Sequence, residues 1–228
     1  MKRSKKYQDI IKNRQEQYTL IDALDKIKNL SISKFPAKIE CHISLNLDTK
    51  NNNQILKGSV TYAHKVGNDK KILILTNENI TNIKENNDIK IGSDKYIEKI
   101  KDGKIDFDIL IITPDMMPQI TSLGNILGPK SLMPNLKNGT ITDDIGKTVN
   151  EYKRGKIDFK SDQTGTIHTI IGSVNNTKEE LFSNLIVLLK GISVASVKPI
   201  NSMIKSIYIA PTIGPSIKIT VEEVLEKI

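Results

Sequence analysis

The sequence predicts an α/β protein of two domains, a discontinuous α+β domain assembled from both ends of the chain and an α/β domain inserted between them. Three observations carry this. Over Lys38–Leu47 apolar and polar residues alternate one by one. In the middle, Lys71–Thr76 (KILILT) and Asp108–Thr113 (DILIIT) are unbroken aliphatic runs, and after residue 155 the alternation returns. Alternation marks a strand with one polar face, whereas a continuous run marks a strand covered on both faces in a parallel sheet. The two changes of pattern divide the 228 residues into 1–67 plus 155–228 and an insert, 68–154.

Residues 1–18 are polar and basic, a surface helix or an arm. Thr19 and Asp22 make a capping-box-like start, and Leu20, Ala23, Leu24 and Ile27 follow at helical spacing. In the first strand Ile39, Cys41, Ile43, Leu45 and Leu47 share one face; Lys38, Glu40, His42, Ser44 and Asn46 share the other. Asn51-Asn52-Asn53 predicts a turn. In the insert, a helix near Ser93–Lys101 separates the aliphatic strands, and helices follow at Asp115–Leu123 and Asp143–Arg154, the last capped by Gly155. Lys156–Ser161 and Thr166–Ile171 alternate around Asp162-Gln163-Thr164-Gly165, which reads as a hairpin. Thr177 and Glu180 cap a helix with Leu181, Leu185, Leu188 and Leu189 on one stripe. Strands at Lys205–Ala210 and Ile217–Val221 flank Pro211-Thr212-Ile213-Gly214-Pro215.

Composition narrows the function. Aromatic residues are 4% of the chain and Trp is absent, so aliphatic side chains must build the cores. The net charge of +8 attracts polyanions, making RNA, DNA or an anionic membrane the expected partner. No apolar run approaches the length of a membrane span, and the basic start has no apolar stretch behind it, so no membrane partner is expected. Cys41 is the single cysteine, which rules out an internal disulfide and predicts a reducing compartment, the cytoplasm or an organelle interior.

Enzymatic chemistry finds little support. His42, His64 and His168 are scattered without metal-ligand spacing, and the neighbours Cys41 and His42 point to opposite faces of a strand. Asp143-Asp144 suits the first turn of a helix. Gly124-Asn125-Ile126-Leu127-Gly128-Pro129-Lys130-Ser131 departs from a phosphate-binding loop, because Pro129 separates Gly and Lys and supplies no N–H. The insert also lacks a dinucleotide-binding glycine fingerprint. The expectation is therefore no cofactor, no metal and no catalysis.

Three segments invite an RNA reading beside a plain one. Lys34-Phe35 is either core packing or a flat surface beside RNA. Asp162–Gly165 is either a simple turn or a place where small residues let the backbone approach a ribose. Thr212-Ile213-Gly214, held between prolines, is either a tight connection or a rigid contact loop.

These segments also carry a family resemblance. Leu127–Thr142, LGPKSLMPNLKNGTIT, is similar to the LGP-x-x-LMP-x-x-K-x-G-T signature of ribosomal protein L-one. Gly155–Gly172 resembles the stretch with the family's D-x-x-G-x-x-H core, and Ser206–Ile217 resembles the loop usually written T-M-G. The resemblance runs in register from about Leu20 to Val221. It implies an RNA-binding domain from both termini with an inserted Rossmann-like domain, located at the base of a mobile stalk of the large ribosomal subunit. It further implies binding to large-subunit rRNA, help in releasing deacylated tRNA from the exit site, repression of its own mRNA, and a monomer when free of the ribosome. Carried onto matching positions, the RNA-contacting residues are Lys34, Phe35, Asp162, Thr164, Gly165, His168, Ser206, Thr212, Ile213 and Gly214. Ile213 replaces the usual Met, Gln163 stands where Lys is common, and Ala63 and Lys65 flank His64 in place of Pro and Gly.

Overall fold

The computed structural model describes residues 5–12, 17–47, 55–67, 70–76, 88–92, 94–196 and 199–225. The expected turn at Asn51–Asn53 lies outside them. The chain forms two compact units, residues 1–67 with 157–228 and residues 68–156.

The first unit is built on a four-stranded antiparallel sheet. Its order is β7 (Thr166–Ser173), β1 (Lys38–Leu45), β8 (Ile204–Pro211) and β9 (Ile217–Ile219). On the inner face of β1, Ile39, Cys41, Ile43 and Leu45 are buried, while Glu40, His42 and Ser44 are half-buried on the other face. Two helices cover the inner face. One is α2 (Leu20–Ile27), begun by Thr19, whose Oγ1 accepts the Asp22 N–H at 3.2 Å and donates to Asp22 Oδ2 at 2.8 Å. The other is α7 (Lys178–Ala195), opened by the Thr177/Glu180 capping box. Leu181, Leu185, Leu188 and Leu189 all enter the core, as the stripe predicted. The fully buried Asn184 of α7 donates to the Ile171 carbonyl (2.9 Å) and brackets the His64 backbone, accepting from its N–H and donating to its C=O at 3.1 Å each. A buried amide with every partner satisfied tethers that connecting segment to the core. The basic α1 (Lys5–Lys12) precedes this fold, and the short α8 (Ile200–Met203) and α9 (Val221–Leu225) flank the last two strands.

The second unit holds a parallel sheet in the order β4 (Ile89–Gly92), β3 (Ile72–Leu75), β5 (Ile109–Ile112). All four residues of β3 and of β5 are buried. On one face Leu73, Leu75, Leu110 and Ile112 pack with residues of α3 (Asp94–Lys101), α4 (Met117–Thr121) and α5 (Gly124–Leu127). On the other, Ile72, Ile74, Ile109 and Ile111 pack with Ile145, Val149 and Tyr152 of α6 (Ile145–Arg154). Asp144 caps α6 by accepting the Lys147 N–H at 3.1 Å, and Gly155 ends it at a left-handed φ of 112°.

Several elements differ from expectation. Asp162–Gly165 is a tight turn, with the Gly165 N–H donating to the Asp162 carbonyl at 3.1 Å, yet its flanking strands do not form a hairpin. The preceding strand, β6 (Lys156–Lys160), pairs with β2 (Lys57–Thr61), and only an isolated bridge, Ser161↔Ile167, joins it to β7. Alternation fixes which face a residue takes and leaves the partner strand open, so the correction is one of pairing. The helix expected at Asp115–Leu123 is broken into a 3₁₀ turn at Pro114–Met116 and the short α4, because Pro118 removes a backbone donor. The final strand stops at Ile219, and Val221 starts a helix.

Candidate nucleic-acid interface

The open face of the antiparallel sheet is polar because strand alternation puts every second residue there. Antiparallel register sets these residues in rows. Thr166, Ser44 and Ser206 form one row across β7, β1 and β8; His168, His42, Tyr208 and Lys218 form the next, ending on β9.

At one margin lies the Asp162–Gly165 turn. Asp162 Oδ1 accepts the N–H groups of Thr164 (2.9 Å) and Thr166 (2.7 Å), and the Thr164 hydroxyl donates to the same carboxylate at 2.8 Å. These bonds favour the ionised form. The Thr166 N–H, helped by the Thr164 hydroxyl and N–H and by His168, pulls the exposed Asp162 carboxyl down to about 2. Gly165, at φ 79°, is buried, and its carbonyl accepts the Leu45 N–H at 3.0 Å.

At the opposite margin lies Thr212–Gly214. The Thr212 N–H donates to the Lys38 carbonyl at 2.9 Å, and its hydroxyl donates to Glu40 Oε1 at 3.0 Å. The Ile213 carbonyl accepts the Ile32 N–H at 3.0 Å, so this loop is stitched to the segment that carries Lys34 and Phe35. Gly214 sits where a Cβ would meet the Leu30 carbonyl oxygen and Pro211 Cγ at 2.5 Å each. Its close approach is therefore to its own chain, and the glycine is required by the fold.

Phe35 is 55% exposed, which excludes the core-packing alternative, and Lys34 beside it is exposed as well. Ser33 Oγ donates to the Phe35 carbonyl at 2.7 Å and shapes the turn that presents the ring. Ile213 is 47% exposed. Ser206 is half-buried within its row.

His168 lies on the edge strand β7 with Nδ1 2.8 Å from His42 Nδ1 on the neighbouring β1. The pKa of His42 is lowered, first by burial and then by the His168 charge, against the opposing pull of Glu40. Glu40, His42, Ser44, Tyr208 and Lys218 were not among the sequence-derived candidates. The alternation of Lys38–Asn46 had already put Glu40, His42 and Ser44 on the polar face, but only strand pairing sets them among the others.

Beneath the sheet, burial pushes the Cys41 thiol up to about 12, so it is no nucleophile at neutral pH. Among the described residues no cluster of His, Cys, Asp or Glu could hold a metal ion, and no helix is long and apolar enough to cross a membrane.

In the second unit, Leu127–Thr142 serves the fold. Thr140 Oγ1 accepts the Asn135 N–H at 2.7 Å, and the Ile112 N–H donates to the Thr140 carbonyl at 2.9 Å, closing the edge of β5. Ile112 and Ile141 form a parallel bridge there. Gly128, Pro129, Lys130 and Lys137 are exposed around this scaffold.

Comparison with known proteins adds the family. The profile of the ribosomal protein L1p/L10e family matches residues 27–215. The chain is 40% identical to the large ribosomal subunit protein uL1 of Prochlorococcus marinus (strain MIT 9312) over 211 residues, 91% of this chain and 89% of that one. It is likewise 40% identical to uL1 of Phytoplasma australiense over 225 residues, 96% and 97% of the two chains, and to uL1c of Trieres chinensis over 202 residues, 88% of each. With a family match over most of its length and relatives covered nearly end to end, this chain belongs to the ribosomal protein L1p/L10e family, whose members are structural components of the ribosome and not enzymes.

Proposed function

We propose that the chain holds the rRNA of the large subunit's mobile stalk against the open face of its antiparallel sheet, between the Asp162–Gly165 turn and the Thr212–Gly214 loop. The observation that supports this most is the gathering of hydroxyls, imidazoles and exposed Lys34 and Phe35 around one face, from segments up to about 180 residues apart in sequence. Hydroxyls and backbone groups suit ribose and phosphate, Phe35 offers a flat surface to a base, and the net charge of +8 draws the polyanion in. Both margins are hydrogen-bonded within the protein, so little order has to be created on binding.

The primary contact is assigned to 1–67 plus 155–228, and the inserted 68–154 to secondary contacts. On the ribosome, the protein in this place helps deacylated tRNA leave the exit site. A similar fold in its own messenger would occupy the same face and repress translation. Free of the ribosome, the chain is a monomer. The test is a salt titration of binding to a stalk rRNA fragment. Neutralising about six phosphates makes affinity fall roughly a thousandfold between about 50 and 200 mM salt. A flat response would sink the electrostatic interface.

A further inference from the structure

The open face carries a histidine pair that the RNA reading does not use as a pair. His42 Nδ1 and His168 Nδ1 are 2.8 Å apart, with ring centroids at 5.0 Å and planes at 62°. Two lone pairs at this distance repel, and so do two N–H groups; one proton between the nitrogens makes a hydrogen bond. His168 Nε2 stands 3.4 Å from Asp162 Oδ2, and that charge favours the Nε2–H tautomer. His168 Nδ1 is then the acceptor and His42 Nδ1–H the donor. Beyond the pair, His42 Nε2 is 3.9 Å from Glu40 Oε2, while Glu40 Oε1 accepts the 3.0 Å hydrogen bond from the Thr212 hydroxyl. A polar chain thus runs Asp162–His168–His42–Glu40–Thr212 across β7, β1 and β8. Its ends are the residues that organise the two loops at the margins of the sheet.

We infer that the His42–His168 pair is a one-proton bridge that couples the Asp162–Gly165 turn to the Thr212–Gly214 loop, with His42 the positioning residue for both. The consequence for RNA rests on the function proposed above; the bridge itself does not. The charged and titratable groups facing the pair are Glu40 on the same strand, Asp162 before β7, Tyr208 beside His42 on β8, and Lys218 one strand further on β9. The approach of His42 Nε2 to Glu40 Oε2, at 3.9 Å, is longer than a hydrogen bond, so the carboxylate acts on the pair through its charge.

The experiment begins with the free full-length protein by ¹⁵N NMR. At neutral pH one histidine should show an Nδ1–H and the other an Nε2–H tautomer. Asp162→Asn should move the amide resonances of Thr212 and Gly214 in the parent and leave them unmoved in a His42→Phe background. His42→Gln, which keeps a donor, should restore part of the shift. Resonances that stay put in the parent, or move equally without His42, overturn the bridge. The second arm uses the stalk rRNA fragment. Asp162→Asn and Thr212→Val should be non-additive by about fivefold in the parent and additive in His42→Phe, with the salt slope unchanged. A salt slope reduced by about one charge in His42→Phe would mean that His42 meets phosphate directly, overturning the positioning role. If the parent does not bind the fragment, the function proposal fails, while the NMR arm still decides the bridge.

Discussion

β1 and β3 are both central strands, each flanked by a partner on either side, and they are used in opposite ways. β3 buries all four of its residues, and both faces of its sheet are sealed by aliphatic cores. β1 buries every second residue and leaves Glu40, His42 and Ser44 on a face that no core cluster covers. A sheet sealed on both sides has no free side chains to offer a ligand and can contribute only through its loops. A half-covered antiparallel sheet can hold a fixed array of polar groups at strand spacing while its other face carries stability. The same chain thus contains a sheet that is nearly all core and a sheet with one core face and one polar face.

That contrast can be broken or sharpened by substitution. The largest effect is expected inside the sealed sheet. Leu110→Ala on β5 removes a buried side chain and should cost about 2–5 kcal/mol of stability, seen in denaturant unfolding. The affinity of the folded fraction for stalk rRNA should stay at the parental value. A large affinity loss would move the primary contact into residues 68–156 and undo the comparison.

Gly214→Val lies at the margin of the open face and should affect both properties. A Cβ there meets the Leu30 carbonyl, so the loop and the Lys34–Phe35 segment must separate. A stability loss of about 1–3 kcal/mol should accompany weaker RNA binding. Parental thermal unfolding with parental affinity would show that the stitch between the two segments has no role.

Phe35→Ala should act on binding alone. The ring is 55% exposed, so thermal unfolding should change by no more than about 0.5 kcal/mol. Affinity should fall by about 1–3 kcal/mol if a base or ribose packs against the ring. Unchanged affinity would remove Phe35 from the interface.

Much of this was legible before the structure, and the reasons are local. Thr19, Asp144 and the Thr177/Glu180 box begin helices because a side-chain oxygen three residues ahead satisfies an amide that the helix cannot. The sealed strands were legible from continuous aliphatic runs. β2 and β4 were missed because Gly58 and Ser59 in β2, and Lys90 and Gly92 in β4, interrupt the β-branched or aliphatic run that would have marked a strand. Among the interface candidates, Asp162, Thr164 and Gly165 could be read as a turn from residue type. Phe35 could not be assigned, since a lone aromatic beside a strand fits a core as well as a surface.

What the sequence by itself determined is the face taken by residues of the strands it marked, the starts of α2, α6 and α7, and the net positive charge. These follow from the pleat, from capping and from composition, all of which act within a few residues. What only the tertiary structure decided is partnership. β1 lies between β7 and β8, more than 120 residues away in sequence, and so His42 meets His168 and Thr212 meets Glu40. The same decision sent β6 to β2 and dissolved the expected hairpin. Period-two alternation repeats identically in every half-buried strand, so it carries no address; the address comes from fitting whole cores together, which no local window contains.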